Sequence, residues 1–151
     1  MLINPGRREC DFGFHDEEMD MLASGQASVV YCPRTHAYFG HPPHRFREML
    51  SRGINVAIGT DSCASSPDLN IVGELRLVHR MAPEVPRGTL WEMITTRGAT
   101  AIQQADNIGS LTAGKLADFV VFPASTDDPL KEILEEKVLP IATSHTFASR
   151  G

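Results

Sequence analysis

Asp61 stands where chemistry is easiest to imagine. It closes an apolar run in "INVAIGTDSCASSPDLN", residues 54–70. A carboxylate at the end of a buried strand is a hard oxygen ligand and a proton acceptor. Beside a divalent metal it could bind the ion and also take a proton from bound water. The same residue type equally suits a turn or the cap of a helix. A second group lies upstream in "YCPRTHAYFGHPPH", residues 31–44. Its imidazoles, His36, His41 and His44, suit zinc or iron and also hydrogen-bond polar substrates. Their spacing matches no local ligand motif, and His41 and His44, beside two prolines, read as solvated loop residues. Arg34 could pair with a substrate carboxylate or phosphate, or lie on the surface. Cys32 and Cys63 have no activating base next to them in sequence and read as packing thiols.

These residues need elements to hold them. Residues 15–25 (HDEEMDMLASG) read as a short helix, with acids in the first turn, Met19 and Leu22 on one face and Gly25 at the stop. Residues 27–33 (ASVVYCP) read as a buried strand ended by proline. After the His-rich loop, residues 44–53 place Phe46, Met49 and Leu50 on one helical face and stop at Gly53. Residues 54–59 give the next strand. Ser66-Pro67 can start a helix whose apolar side carries Ile71, Leu75 and Val78. Thr89 with Glu92 has the capping-box spacing for a helix to about Gln104. A weak strand near 108–111, a turn at Ala113-Gly114, a strong strand at 117–122, a helix at 128–138 and a last strand complete the chain.

Strand–helix–strand order predicts that segments 27–32 and 54–59 are adjacent and parallel, joined by the helix between them. Sites in such folds collect at the carboxyl ends of the strands. Asp61 and the loop after Pro33 are therefore expected on one face. The 117–122 strand is expected in a separate small sheet.

Composition excludes several functions. The net charge is −5 without a Lys/Arg cluster, so a nucleic-acid partner is not expected. The densest apolar segment, 116–124, is too short to span a bilayer, and no secretory leader pattern opens the chain. Three widely spaced cysteines, Cys10, Cys32 and Cys63, fit neither a disulfide framework nor a Cys-type zinc site. They suit a reducing, cytoplasmic location. The Pro-Cys-x-x-Cys deaminase motif, a Walker loop, a Rossmann fingerprint and a nucleophile elbow are all absent.

Four segments in order, "SVVYCPRTHAYFG", "GINVAIGTDSCASSPDLNIVGELR", "TTRGATAI" and "IGSLTAGKLADFVVF", resemble the carboxyl-terminal part of the amidohydrolase superfamily. The branch is that of metal-dependent deaminases and chlorohydrolases. The resemblance covers residues 19–122, and more weakly onward to Thr143. Its most specific pieces are Gly59-Thr60-Asp61-Ser62 and Gly109-Ser110-Leu111 with Gly114-Lys115-Leu116-Ala117-Asp118. The resemblance implies an α/β fold: the last part of a (β/α)8 barrel, residues 1–106, and a return segment, 107–151, to a small β-sandwich. It implies one divalent metal ion, zinc or iron, in the complete enzyme, with Asp61 as the metal-binding and catalytic aspartate. It also implies a small heterocyclic substrate contacted by His36, and homo-oligomerisation is compatible with it. Many relatives carry Asn in a Cys-Pro-x-Ser-Asn pattern where this chain has His36.

The chain also departs from the family. The His-x-His pair of the first barrel strand and the fifth-strand histidine are not in this sequence. The place of the sixth-strand histidine falls to Asn4 or Cys10, depending on the gap, since His15 stands too near a helix start. A full barrel takes roughly 250 residues, so 151 residues supply only its last portion. The expected function is hydrolysis of a non-peptide C–N bond, a deamination, by an incomplete chain inactive alone. The alternative is a non-catalytic remnant, or an α/β domain that needs another polypeptide to complete its site.

Overall fold

The apolar runs at 28–31 and 55–58 do form paired parallel strands. A computed structural model describes residues 14–136 and 138–144, so Asn4, Cys10 and the chain beyond Ser144 lie outside the described residues. Helix α1 (Asp16–Ser24) leads into β1 (Ser28–Tyr31), and α2 (Pro33–Tyr38) and α3 (Phe46–Ser51) lead into β2 (Asn55–Ile58). The register pairs Ser28 with Asn55 and Tyr31 with Ile58. β2 is buried along Val56, Ala57 and Ile58, as a parallel strand covered on both faces requires.

Helices α4 (Ile71–Met81), α5 (Arg87–Ile94) and α6 (Thr96–Ala101) come next, and all three lie against β2. The apolar faces of α4 and α5 join those of α1 and α3 in one core containing Met19, Phe46, Met49, Leu75, Val78, Leu90 and Met93. Arg45 and Arg52 of the α3 segment reach Asp16 on α1 and Glu48 on α3 itself, which ties the two helices together at the surface.

Several expected elements shift. The His-rich loop begins as helix α2, because Pro33 is preorganised for the first helical position. The helix expected to start at Ser66-Pro67 starts instead at Ile71. Asn70 caps it, accepting from the Val72 and Gly73 amides at 3.1 Å each. Thr89 does not cap α5, which opens earlier, at Arg87 behind Pro86. The single helix expected to reach Gln104 breaks at Thr95, whose φ −121°, ψ −98° is not helical.

That break has a visible partner. Gly109, at φ +92°, is so close that a Cβ there would lie 2.7 Å from Ala99 Cβ and 3.2 Å from the Thr95 carbonyl. The Gly109-Ser110-Leu111 turn thus packs onto the α5–α6 junction and needs glycine. Segment 108–111 is a turn rather than a strand; nearby, Leu116 N–H donates to Asn107 O at 2.8 Å.

The remaining strands, β3 (Phe119–Val121) and β4 (Ala142–Ser144), pair antiparallel in their own two-stranded sheet, and α7 (Pro129–Glu135) lies between them in the chain. Asp128 caps α7, and Arg76 of α4 donates to Ile133 O at 2.7 Å, which docks α7 on α4. No helix among the described residues is long and apolar enough to cross a membrane.

Candidate functional site at the strand ends

The Gly59-Thr60-Asp61 turn begins where β2 stops. Gly59 N–H donates to Tyr31 O at 2.9 Å, continuing the pairing past the end of β1. A Cβ on Gly59 would meet Val30 Cγ1 at 2.8 Å and Cys32 Sγ at 3.0 Å. Glycine therefore lets the two strand ends close together and brings Asp61 beside Cys32. Asp61 adopts φ +57°, a left-handed conformation that aspartate tolerates better than most residues. The residue is exposed.

Two short networks hold the loop after Asp61. In the first, Ser65 Oγ donates to Asp61 Oδ2 at 2.9 Å and lies 3.0 Å from Thr35 Oγ1 on α2. In the second, the fully buried Glu74 accepts from Arg34 N at 2.8 Å, Arg34 Nε at 2.7 Å and Ser66 Oγ at 3.1 Å. Arg34 also pairs with Asp68 at 2.7 Å and donates to the Asn70 carbonyl at 3.0 Å. Its donors are thus engaged with the loop and with α4. Sequence reading missed Ser65, Thr35 and Glu74 as parts of this site. Glu74 had a signal: it sits beside Leu75 on the buried side of α4, and a carboxylate there requires a buried partner.

The histidines take different places. His36, on α2, contacts Pro42 O through Nε2 at 2.6 Å and lies edge-on to Tyr31 at 5.6 Å. His44 is not a solvated loop residue. It stacks on Tyr31 at 4.2 Å and 16°, and burial, followed by the His36 charge, pushes its pKa down to about 4. Burial likewise pushes the Tyr31 hydroxyl up to about 12. His41 packs on His36 and Phe39. His15, in front of α1, donates its backbone N–H to the Glu18 carboxylate at 3.0 Å.

Burial pushes the Cys32 thiol up, and the charges of Asp61 and Glu74 add to this. Such a thiol stays protonated and is a poor nucleophile. Cys63 is exposed.

A catalytic zinc site needs three protein ligands. Among the described residues no three His, Cys, Asp or Glu side chains converge to hold a metal ion. Asp61 is one carboxylate, so the described residues do not by themselves fit the metal that the sequence resemblance implies.

The chain is 35% identical over 112 residues to a 5-methylthioadenosine/S-adenosylhomocysteine deaminase of Moorella thermoacetica, covering 70% of this chain and 26% of that protein. It is 31% identical over 146 residues to the enzyme of the same name from Pyrococcus abyssi, covering 90% of this chain and 32% of the relative. The chain thus spans between a quarter and a third of the length of these relatives. A zinc-bound adenosine deaminase from Xanthomonas campestris superposes with TM-score 0.74 at 28% identity, over 82% of this chain and 31% of the other. E. coli guanine deaminase matches in fold, with TM-score 0.73 at 18% identity over 89% of this chain and 38% of the other. The model of the amidohydrolase family matches residues 12–144. That span takes in α1, the parallel pair with its Asp61 turn, and the second sheet, and the chain belongs to the amidohydrolase family.

Proposed function

We propose that this chain forms the carboxyl-terminal part of a hydrolase that removes ammonia from an amino-substituted heterocycle. By this reading β1 and β2 are the seventh and eighth strands of a (β/α)8 barrel, residues 1–106 belong to that barrel, and β3 and β4 belong to a small β-sandwich formed with 107–151. The observation that carries the reading is Asp61, an exposed carboxylate in a left-handed turn at the carboxyl end of a buried parallel strand, beside strand ends that Gly59 lets close together. The names of the relatives point to an adenine-bearing nucleoside as substrate class.

Asp61 takes a proton from the water that attacks the amino-bearing ring carbon. The C–O bond forms as the ring C=N π pair moves onto the ring nitrogen, which leaves a tetrahedral carbon. Asp61 then returns the proton to the amine, the ring nitrogen's pair re-forms the double bond, the exocyclic C–N bond breaks, and ammonia departs. His36 contacts the substrate from α2. Arg34, committed to Glu74 and Asp68, orders the loop behind Asp61. A divalent metal, zinc or iron, would supply Lewis acidity in the complete enzyme, with its further ligands coming from outside the described residues.

The test joins this chain to the amino-terminal part of a close relative and measures ammonia release from adenosine-type, guanine and triazine substrates. Asp61→Asn should lower turnover at least ~10²-fold with little change in KM, the size expected for loss of a general base. His36→Ala should raise KM and weaken discrimination among heterocycles. Near-normal turnover in Asp61→Asn would make Asp61 a turn residue only.

A further inference from the structure

Asp61 is exposed and sits at φ +57°, so neither burial nor regular secondary structure fixes its side chain. Ser65 is different: it is 6% exposed, its amide donates to Ser62 O at 3.2 Å, and its neighbour Ser66 is tied to the buried Glu74. Its hydroxyl touches Asp61 Oδ2 at 2.9 Å and Thr35 Oγ1 at 3.0 Å. A serine hydroxyl has one proton to give. A carboxylate only accepts, so that proton goes to Asp61, and Thr35 must donate its own proton to Ser65. The chain has one direction, from α2 through Ser65 to Asp61. Hydrogen bonds onto a carboxylate are also the stronger kind.

We propose that Ser65 is the positioning residue of Asp61. Its hydroxyl, set by Thr35, engages Oδ2 and fixes the carboxylate in one rotamer, leaving Oδ1 to face the chemistry. Position therefore comes from two neighbouring helices: α2 through Thr35, and α4 through Glu74 and Ser66. The proposal rests on the reading of Asp61 as the reacting carboxylate.

The experiment uses the whole 151-residue chain in solution. NMR couplings across Asp61 χ1 should show one rotamer in the wild type. In Ser65→Ala they should show averaging over several, with the amide spectrum of 71–81 unchanged, and Ser65→Thr, which keeps the hydroxyl, should restore the single rotamer. A serine that only braced the turn would lower the melting temperature in Ser65→Ala and leave the Asp61 rotamer as it was, which overturns the proposal. So does a wild-type Asp61 that already samples several rotamers. If Ser65→Ala does not fold, hydroxyl exchange decides. The Ser65 proton should exchange with water at least ~10-fold faster in Asp61→Ala, which removes its acceptor and so about one hydrogen bond, and an unchanged rate overturns the proposal. The two readings fail separately. Averaged Asp61 rotamers in the wild type with a large Asp61→Asn defect in the completed enzyme remove only Ser65's role. A fixed rotamer with normal Asp61→Asn turnover removes the catalytic reading.

Discussion

The two sheets are alike in composition and unlike in cover. β1 and β2 carry Val29, Tyr31, Val56, Ala57 and Ile58, all buried, with Val56 at 0% exposure. β3 carries Phe119, Val120 and Val121, all exposed, with Val120 at 54%. Both runs are β-branched and aromatic, so both have strand propensity. The difference lies in the helices that the chain supplies beside each sheet. The parallel pair leads into α4, α5 and α6, which lie directly on β2. The antiparallel pair is separated by α7, which docks on α4. A strand's apolar residues thus stabilise the fold only where the chain also supplies the opposing face, and the candidate site sits on the half of the molecule that has one.

The sharpest way to break this contrast is to remove the buried carboxylate behind the site. Glu74→Ala leaves Arg34 without its main partner and should destabilise the chain by about 3–5 kcal/mol, read as a fall in denaturant midpoint. A loss below about 1 kcal/mol would mean that the loop holds itself without α4.

Acid probes the same half more gently. His44 has a folded pKa of about 4, below its ordinary value of 6.5, so the unfolded chain takes the proton first. The stability linked to His44 is therefore complete above about pH 6.5 and declines as pH falls from 6.5 towards 4. The loss should be on the order of 3 kcal/mol at the acid end. His44→Phe keeps a ring on Tyr31 and should flatten the stability profile over that window. An unchanged profile would show that another group controls it.

On the other sheet the expected effects shrink. Val120→Thr, at an exposed position, should shift stability by no more than about 0.5 kcal/mol. A change above about 1.5 kcal/mol would show that β3 is covered in solution. The smallest expected response is to zinc. Calorimetry on the chain alone should detect weak binding or none, because the described residues bring one carboxylate to the strand ends. Tight stoichiometric binding that disappears in Asp61→Ala would mean that three ligands come from within the chain, with His15, His36 and His41 the first to substitute.

Local signals were enough for much of this. Alternating elements, the glycine stops, and apolar runs bounded by proline and glycine placed the parallel pair and the position of Asp61 at its end. The Gly59-Thr60-Asp61-Ser62 and Gly109-Ser110-Leu111 motifs identified the family. In both, the glycine is required by close contact, with Cys32 and Val30 at one and with Ala99 at the other. Such requirements are written into residue type, and so they are legible.

What the sequence did not determine was partnership across distance. Arg34 looked equally able to bind a substrate or face solvent, because its partner, Glu74, lies forty residues on. His44 reads as solvated beside its prolines, yet it stacks on Tyr31. The 89–104 run reads as one helix from the capping-box spacing of Thr89 and Glu92; the packing of Gly109 marks the break at Thr95. Ser65 carries no signal in the sequence, since a serine's role depends on which acceptor its single proton reaches. Residue type and spacing specify elements and stops. Pairing between residues far apart in the chain depends on how those elements stack, and that arrangement is decided in three dimensions.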